Sequence, residues 1–180
     1  MQNVHIVDIC GRKEALPVLQ LEGGPKIAFF NLHGNVELTE FCARKLAERL
    51  AGKADVLITA ESKGLQLGHC LARELGQPFY AVARKSKKLY MQDGISVAVQ
   101  SITTAAEQRM YLSAHDAALL KNRRVAVVDD VVSTGGSLHA LCELVRLSGG
   151  EVTVKAAVLA EGNAKNRQDV IYLADIPLFK

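Results

Sequence analysis

Residues 125–137 read VAVVDDVVSTGGS. Four apolar residues, Val125 to Val128, make a run of strand length with no polar alternation, the pattern of a strand buried on both faces. Two carboxylates, Asp129 and Asp130, close the run. Val131 and Val132 follow, and then a small polar stretch, Ser133-Thr134-Gly135-Gly136-Ser137, opens a segment to Leu147 with helical spacing of apolar residues. Glycines in that position permit a sharp turn and a close approach of backbone to a ligand. The stretch is thus half of a strand-turn-helix unit, and ligands of such units bind at the carboxyl ends of the strands.

The flanking sequence repeats the alternation. Residues 54–60 (ADVLITA) predict a buried strand, and residues 64–75 predict a helix that ends at Gly76 with Pro78 just beyond. Residues 79–83 predict the next strand, and residues 152–159 another, after the helix stop at Gly149-Gly150. Upstream, residues 26–31 predict a strand, and Leu38, Cys42, Leu46 and Leu50 recur every fourth position on an amphipathic helix with Asn35 as its N-cap. Residues 95–102 and 109–112 suit a hairpin-like excursion. Strands and helices alternating at this spacing predict an α/β fold with a Rossmann-like parallel sheet and right-handed crossovers. Gly23-Gly24-Pro25 is a turn, no linker or repeat interrupts the chain, and 180 residues suit a single domain over 1–180.

Composition narrows the function classes. An apolar fraction of 49% with 23% charged residues is that of a globular protein, and the apolar runs are too short to span a bilayer. The first residues lack a basic segment followed by an apolar one, so no signal peptide is read and a cytoplasmic location is expected. A formal net charge of +3 is too small to point to nucleic acid, and no membrane partner is implied. The positive charge is focused at Arg84-Lys85-Ser86-Lys87-Lys88. The cysteines, Cys10, Cys42, Cys70 and Cys142, form no CxxC pair and have no histidine at metal-ligand spacing. Cys42, Cys70 and Cys142 lie in helical apolar patterns, so reduced, buried thiols are expected rather than a zinc site.

Residues 125–137 have a physical reading if the ligand is a phosphorylated sugar. Backbone N–H groups at a helix start, with the helix dipole behind them, hold a phosphate dianion. The hydroxyls of Ser133, Thr134 and Ser137 add donors. Asp129 and Asp130 accept hydrogen bonds from ribose hydroxyls, provided a turn begins there, because consecutive strand residues point to opposite faces. Acidic pairs at strand ends also serve magnesium in receiver domains and Walker B segments. The run matches neither GxxxxGK[ST] nor GxGxxG, which disfavours nucleoside-triphosphate and dinucleotide sites.

The ordered run of apolar strand, Asp-Asp, two apolar residues and Ser-Thr-Gly-Gly-Ser resembles the signature by which type I phosphoribosyltransferases bind PRPP (5-phosphoribosyl 1-diphosphate). The resemblance extends over about residues 27–162. It implies that Ser133, Thr134, Gly135, Gly136 and Ser137 hold the 5′-phosphate and that Asp129 and Asp130 hold the ribose as the catalytic pair. It also implies that Ser62, Lys63 and Gly64, with Arg84, Lys85 and Lys88, hold the diphosphate. Mg²⁺ enters mainly through PRPP, without a protein cage. The basic residues near Arg84 often serve a neighbouring subunit, which implies a homodimer. A hood over the base is expected from about residues 1–35 and 161–180, and a lid from about 90–113, centred on 92–108. The expected activity is transfer of the phosphoribosyl group to a purine, with a non-catalytic PRPP-sensing regulator as the alternative.

Residues 82–89 (VARKSKKL) and 99–103 (VQSIT) resemble the xanthine enzymes most, while the layout is similar to the adenine enzymes. Two departures leave the base open. The Leu-Glu-Tyr-Gly lid motif associated with the adenine enzymes is absent, and Glu161 is followed by Gly162 where the xanthine enzymes carry a base-binding lysine. His33, in the expected hood, is the candidate base contact. GxSxG, Walker A and kinase signatures are absent, which disfavours a hydrolase or kinase.

Overall fold

The computed structural model describes residues 3–99 and 108–179. The chain begins with a hairpin, β1 (Val4–Ile9) and β2 (Arg12–Gln20), paired antiparallel around a tight turn at Cys10-Gly11. β3 (Lys26–Ala28) adds antiparallel to β2. α1 (Val36–Leu50) follows, capped as its sequence requires, with the Asn35 side chain accepting from the Leu38 N–H at 3.1 Å. β4 (Val56–Ala60), α2 (Gly64–Glu74) and β5 (Ala81–Ala83) form the next unit. The hairpin β6 (Ile95–Val99) and β7 (Gln108–Leu112) precedes α3 (Ala114–Leu120), whose cap Ser113 accepts from the Asp116 N–H at 3.0 Å. β8 (Arg124–Val132), α4 (Gly136–Leu147) and β9 (Glu151–Glu161) lead through a 3-10 turn, Gly162–Asn166, to β10 (Ile171–Ile176) and β11 (Leu178–Phe179).

Three sheets result. β10-β9-β8-β4-β5 form the core, and every pairing in it is parallel. β1-β2-β3-β11 form an antiparallel sheet that joins the two ends of the chain. β6 and β7 form a two-stranded hairpin, which an antiparallel bridge between Tyr111 and Arg84 ties to the residue after β5.

Period-two alternation sorts the core strands onto two layers. Leu57, Ala126 and Val128 pack with Leu46, Leu67 and Leu71 of α1 and α2. Val56, Ile58, Val125 and Val127 pack with Leu138, Leu141 and Leu144 of α4. Both faces of the sheet are therefore covered, as its unbroken apolar strands require. Among the described residues, no helix is long and apolar enough to cross a membrane.

The expected α/β fold with a parallel sheet is observed, with four differences in detail. Residues 26–31 were expected to supply a strand of the alternating series, but only Lys26–Ala28 is strand and it joins the antiparallel sheet. The strand expected at 79–83 is confined to Ala81–Ala83. The strand expected to stop at Val128 runs through both aspartates to Val132, because β9 pairs alongside it as far as Val132↔Ala160. No turn begins at the acidic pair. Instead the layer alternation inverts across it, with Val131 on the α1–α2 side and Val132 on the α4 side. The fourth difference concerns the thiols: Cys42 is buried, but Cys70 and Cys142 are only half-buried. Burial pushes the Cys42 thiol up to about 12.

Gly150 joins α4 to β9 under the end of α3. A Cβ there would stand 2.7 Å from the Leu120 carbonyl oxygen and 3.1 Å from Val145 Cγ1. Backbone cannot yield as a side chain does, so Gly150→Ala is expected to lower stability by about 1–3 kcal/mol. Urea denaturation checks this; an unchanged midpoint would contradict the packing.

Candidate active site

The carboxyl ends of β4, β8 and β9 open into a cavity of about 270 Å³, with β3 and the residues after it on the opposite wall. Its floor is the acidic pair. Asp130 is 6% exposed, and its Oδ2 has no hydrogen-bond partner among the described residues. Asp129 accepts the Asp130 backbone N–H at 2.9 Å through Oδ1. Burial raises the Asp129 carboxyl well above the ordinary carboxylate range, and the charge of Asp130 adds to the rise. Two adjacent carboxyl groups, one of them short of a donor, suit ligand hydroxyls or a hard cation. Among the described residues no group of three or more His, Cys, Asp or Glu could hold a metal ion, so a cation here would draw most of its ligands from elsewhere.

The second wall is the turn from β4 into α2. Glu61, Lys63 and Gly64 line the cavity, whereas Ser62 is exposed and outside its lining. Gly64 lies directly over the buried Thr59. A Cβ at 64 would collide with Thr59 Oγ1 and stand 3.7 Å from Asp129 Oδ1. The turn can thus approach the acidic pair only because residue 64 lacks a side chain. Lys63 Nζ is 3.5 Å from the Phe30 carbonyl oxygen and 4.6 Å from the centroid of the Phe29 ring, which bridges this turn to the opposite wall.

Glu61 organises the basic run after β5. It accepts Arg84 Nη1 at 3.0 Å and the Lys85 backbone N–H at 2.7 Å. Burial opposes its ionisation, but these two donors and the charges of Arg84 and Lys88 outweigh it and hold the carboxyl below its usual range. Lys85 reaches the cavity wall. Arg84 is engaged with Glu61, and Lys88 donates to Ser86 Oγ at 2.8 Å outside the lining.

The loop into α4 has two faces. Ser133 and Ser137 line the cavity above the aspartates, while Thr134, Gly135 and Gly136 line a second cavity of about 360 Å³ behind them. Gly135 caps α4 in the left-handed conformation, φ 86°, which only glycine adopts without strain. The second cavity also holds Lys155 and Arg167. A third, of about 410 Å³, lies between Lys85, Ser137 and the β6–β7 hairpin. The strands fall inside the expected lid, but residues 100–107, which include most of the stretch 99–103, lie outside the described residues.

The structure therefore brings together Lys63, Gly64, Lys85, Asp129, Asp130, Ser133 and Ser137 around one cavity. His33 stands apart: it is exposed, with Nδ1 2.7 Å from Gln66 Nε2, and is not in that lining. Sequence reasoning missed Phe29 and Phe30, which it read as part of a strand, and it missed Lys155 and Arg167. The first two carried a signal, since consecutive aromatics just past a short strand are rare in a chain with five Phe. The two cations carried none; isolated basic residues near a carboxylate are ordinary surface.

Residues 32–177 match the phosphoribosyl transferase domain family. The chain is 39% identical over 126 residues to an adenine phosphoribosyltransferase of Flavobacterium johnsoniae, covering 67% of this chain and 68% of that one. It is 34% identical over 126 residues to a hypoxanthine/guanine phosphoribosyltransferase of Methanothermobacter thermautotrophicus, covering 70% of this chain and 61% of that one. Among solved structures, adenine phosphoribosyltransferase from Rhodothermus marinus shares the fold at a TM-score of 0.69 and 23% identity, covering 96% of this chain and 94% of that one.

Two expectations follow from the geometry. Gly64→Ala is expected to lower the melting temperature, and adding Thr59→Ala should recover part of that loss because it removes the colliding hydroxyl; strictly additive losses would contradict the contact. The Asp129 carboxyl binds its proton more tightly folded than unfolded, so its contribution to stability is complete below about pH 4 and fades as pH rises through its raised value. Asp129→Asn should therefore melt higher than the parent in ligand-free protein, with a gap that widens from about pH 5 to pH 8. A gap that does not change with pH would contradict the shift.

Proposed function

The chain belongs to the phosphoribosyl transferase domain family, and on that premise we propose that it moves the 5-phosphoribosyl group of PRPP onto a purine. It is a purine phosphoribosyltransferase of the salvage type, releasing diphosphate and a purine nucleoside monophosphate. The observation that carries this reading is the acidic pair, with Asp130 buried and short of a donor, lying between a helix-start loop and a turn that only a glycine can bring close.

The proposed assignments follow the charges. The N–H groups at the start of α4, with Ser133 and Ser137, hold the 5′-phosphate. The ribose hydroxyls donate to Asp129 and Asp130. Ser62, Lys63 and Gly64, with Lys85, hold the diphosphate, and Arg84 braces that wall through Glu61. The base lies across the ribose toward Phe29 and Phe30, under the antiparallel sheet that we assign as the hood. The β6–β7 hairpin is assigned as the lid, which would exclude water from the reacting sugar.

Bond breaking at the anomeric carbon builds positive charge on the ribose and negative charge on the leaving diphosphate. We assign the acidic pair to the side that becomes positive and Lys63 and Lys85 to the side that becomes negative, so the leaving diphosphate meets fixed positive charge. The site positions two substrates and needs no protein nucleophile. Mg²⁺ fits the same floor: the donors are hard carboxylate oxygens, one of them without a partner, so Asp129 and Asp130 would hold the ion, which when bound neutralises diphosphate charge. We further assign a homodimer, in which Arg84 and Lys88 extend toward the partner's diphosphate, and a cytoplasmic location with no nucleic-acid or membrane partner.

The test is a base screen with PRPP and Mg²⁺, measuring diphosphate release with adenine, hypoxanthine, guanine, xanthine, uracil and orotate. Release with one or more purines and none with pyrimidines is expected. Absence of release with every base, while PRPP still raises the melting temperature, would replace the enzyme with a PRPP sensor. Asp130→Asn is expected to keep the fold and lower kcat/KM by roughly 10- to 100-fold, the worth of one charged hydrogen bond. Full activity in that variant would remove Asp130 from the ribose site.

A further inference from the structure

Arg167 stands beside a helix start, where its charge is upheld by Asp169. Its Nη1 occupies the space where a side chain of Gly135 would be, beside the N-cap of α4. A helix N-terminus carries partial positive charge, so a cation is destabilised there and an anion is welcomed. The guanidinium is nonetheless held in that place. Its Nε donates to Asp169 Oδ1 at 3.0 Å and its Nη2 to Asp169 Oδ2 at 2.8 Å, a two-pronged grip that leaves Nη1 turned to the loop. Asp169 is itself fixed by Lys155 Nζ at 2.7 Å. The second cavity, about 360 Å³ behind the loop, is thus lined by Thr134, Gly135 and Gly136 on one side and by Lys155 and Arg167 on the other. Two cations and one carboxylate leave net positive charge facing a helix start that is already positive.

Such an arrangement gains stability when a dianion sits on the other face of the loop. Resting on the reading of residues 133–137 as the 5′-phosphate cradle, we propose that Arg167 is a positioning residue for PRPP. Its guanidinium packs against Gly135, holds the turn in the shape that points the N–H groups at the phosphate, and adds positive potential from behind. Residue 135 must then be glycine for two reasons: its left-handed backbone, and the guanidinium that fills its side-chain space. The role differs from that of Lys63 and Lys85, which face the reacting diphosphate. Arg167 acts on binding of the non-reacting end, so its removal should change substrate affinity and not the chemical step.

The test compares wild type, Arg167→Ala and Arg167→Lys by melting temperature without ligand, melting temperature with ribose 5-phosphate or PRPP, and steady-state kinetics. Arg167→Ala is expected to lose most of the ligand-induced rise in melting temperature. Its KM for PRPP should increase about fivefold to tenfold, with kcat and the KM for the base little changed. Arg167→Lys, which keeps the charge but not the two-pronged grip on Asp169, should recover part of the affinity. A lower ligand-free melting temperature with an intact ligand-induced rise would make Arg167 a structural strut and overturn the proposal. An unchanged KM for PRPP would overturn it as well. If neither ribose 5-phosphate nor PRPP raises the wild-type melting temperature, the cradle reading itself fails.

Discussion

The end of β8 carries the constraint around which the rest of the molecule is arranged. This strand runs between β4 and β9 in a sheet covered on both faces, and at its carboxyl end it places two consecutive carboxyl groups, Asp129 half-buried and Asp130 buried. Adjacent buried acids repel each other and resist ionisation, so Asp129 is driven toward its neutral form. A fold selected for stability alone would place apolar residues there. The surrounding structure tolerates the pair by packing everything else tightly: all five residues of β4 are buried, as are Val125 to Val128 just before the acids. Local destabilisation is thus confined to the floor of the cavity, the usual relation between stored strain and a candidate site.

The cations around that floor are held in different ways. Lys63 is tethered across the cavity to the Phe30 carbonyl and the Phe29 ring, while Arg84 and the backbone of Lys85 are tied to Glu61. Arg167 is gripped by Asp169 behind the opposite loop. None of these charges needs to be reorganised when a substrate arrives, and preorganised charge is what makes electrostatic stabilisation effective in a site shielded from water. The tethers also keep Lys63, Arg84 and Arg167 from collapsing onto the two aspartates.

Much of this was legible in the sequence, for physical reasons that differ by element. The core strands were readable because burial on both faces forces unbroken apolar runs, and α1 was readable because Asn35 and the fourfold spacing of Leu38, Cys42, Leu46 and Leu50 satisfy capping and packing together. The loop at 133–137 was readable because small hydroxyl residues and glycines after a buried strand suit a sharp turn into a helix. The antiparallel sheet was not. Its strands are half-exposed and joined from the two ends of the chain, so β11 meets β3 across about 150 residues and no local pattern reports it. The continuation of β8 through the acidic pair was also missed, because polar residues read as the end of a buried strand when the pairing with β9 that extends it is not in view.

That division explains why the sugar donor is easier to read from this sequence than the base. The proposed contacts to phosphate and ribose come from strand ends and helix starts of the parallel core, where backbone geometry dictates glycine, small hydroxyls and carboxylates at fixed spacing. The wall proposed to meet the base is built from residues just past β3, and Gly162, at the end of β9, packs beneath Leu178 of β11, where a Cβ would come within 2.7 Å of Leu178 Cδ1. A side chain at that position would have to displace Leu178. Recognition through tertiary packing of two distant segments leaves little periodic trace, and it can change with the hood while the core stays fixed. A scaffold of this kind can therefore keep one donor chemistry and exchange acceptors, with the discriminating contacts carried by the sheet that joins the ends of the chain.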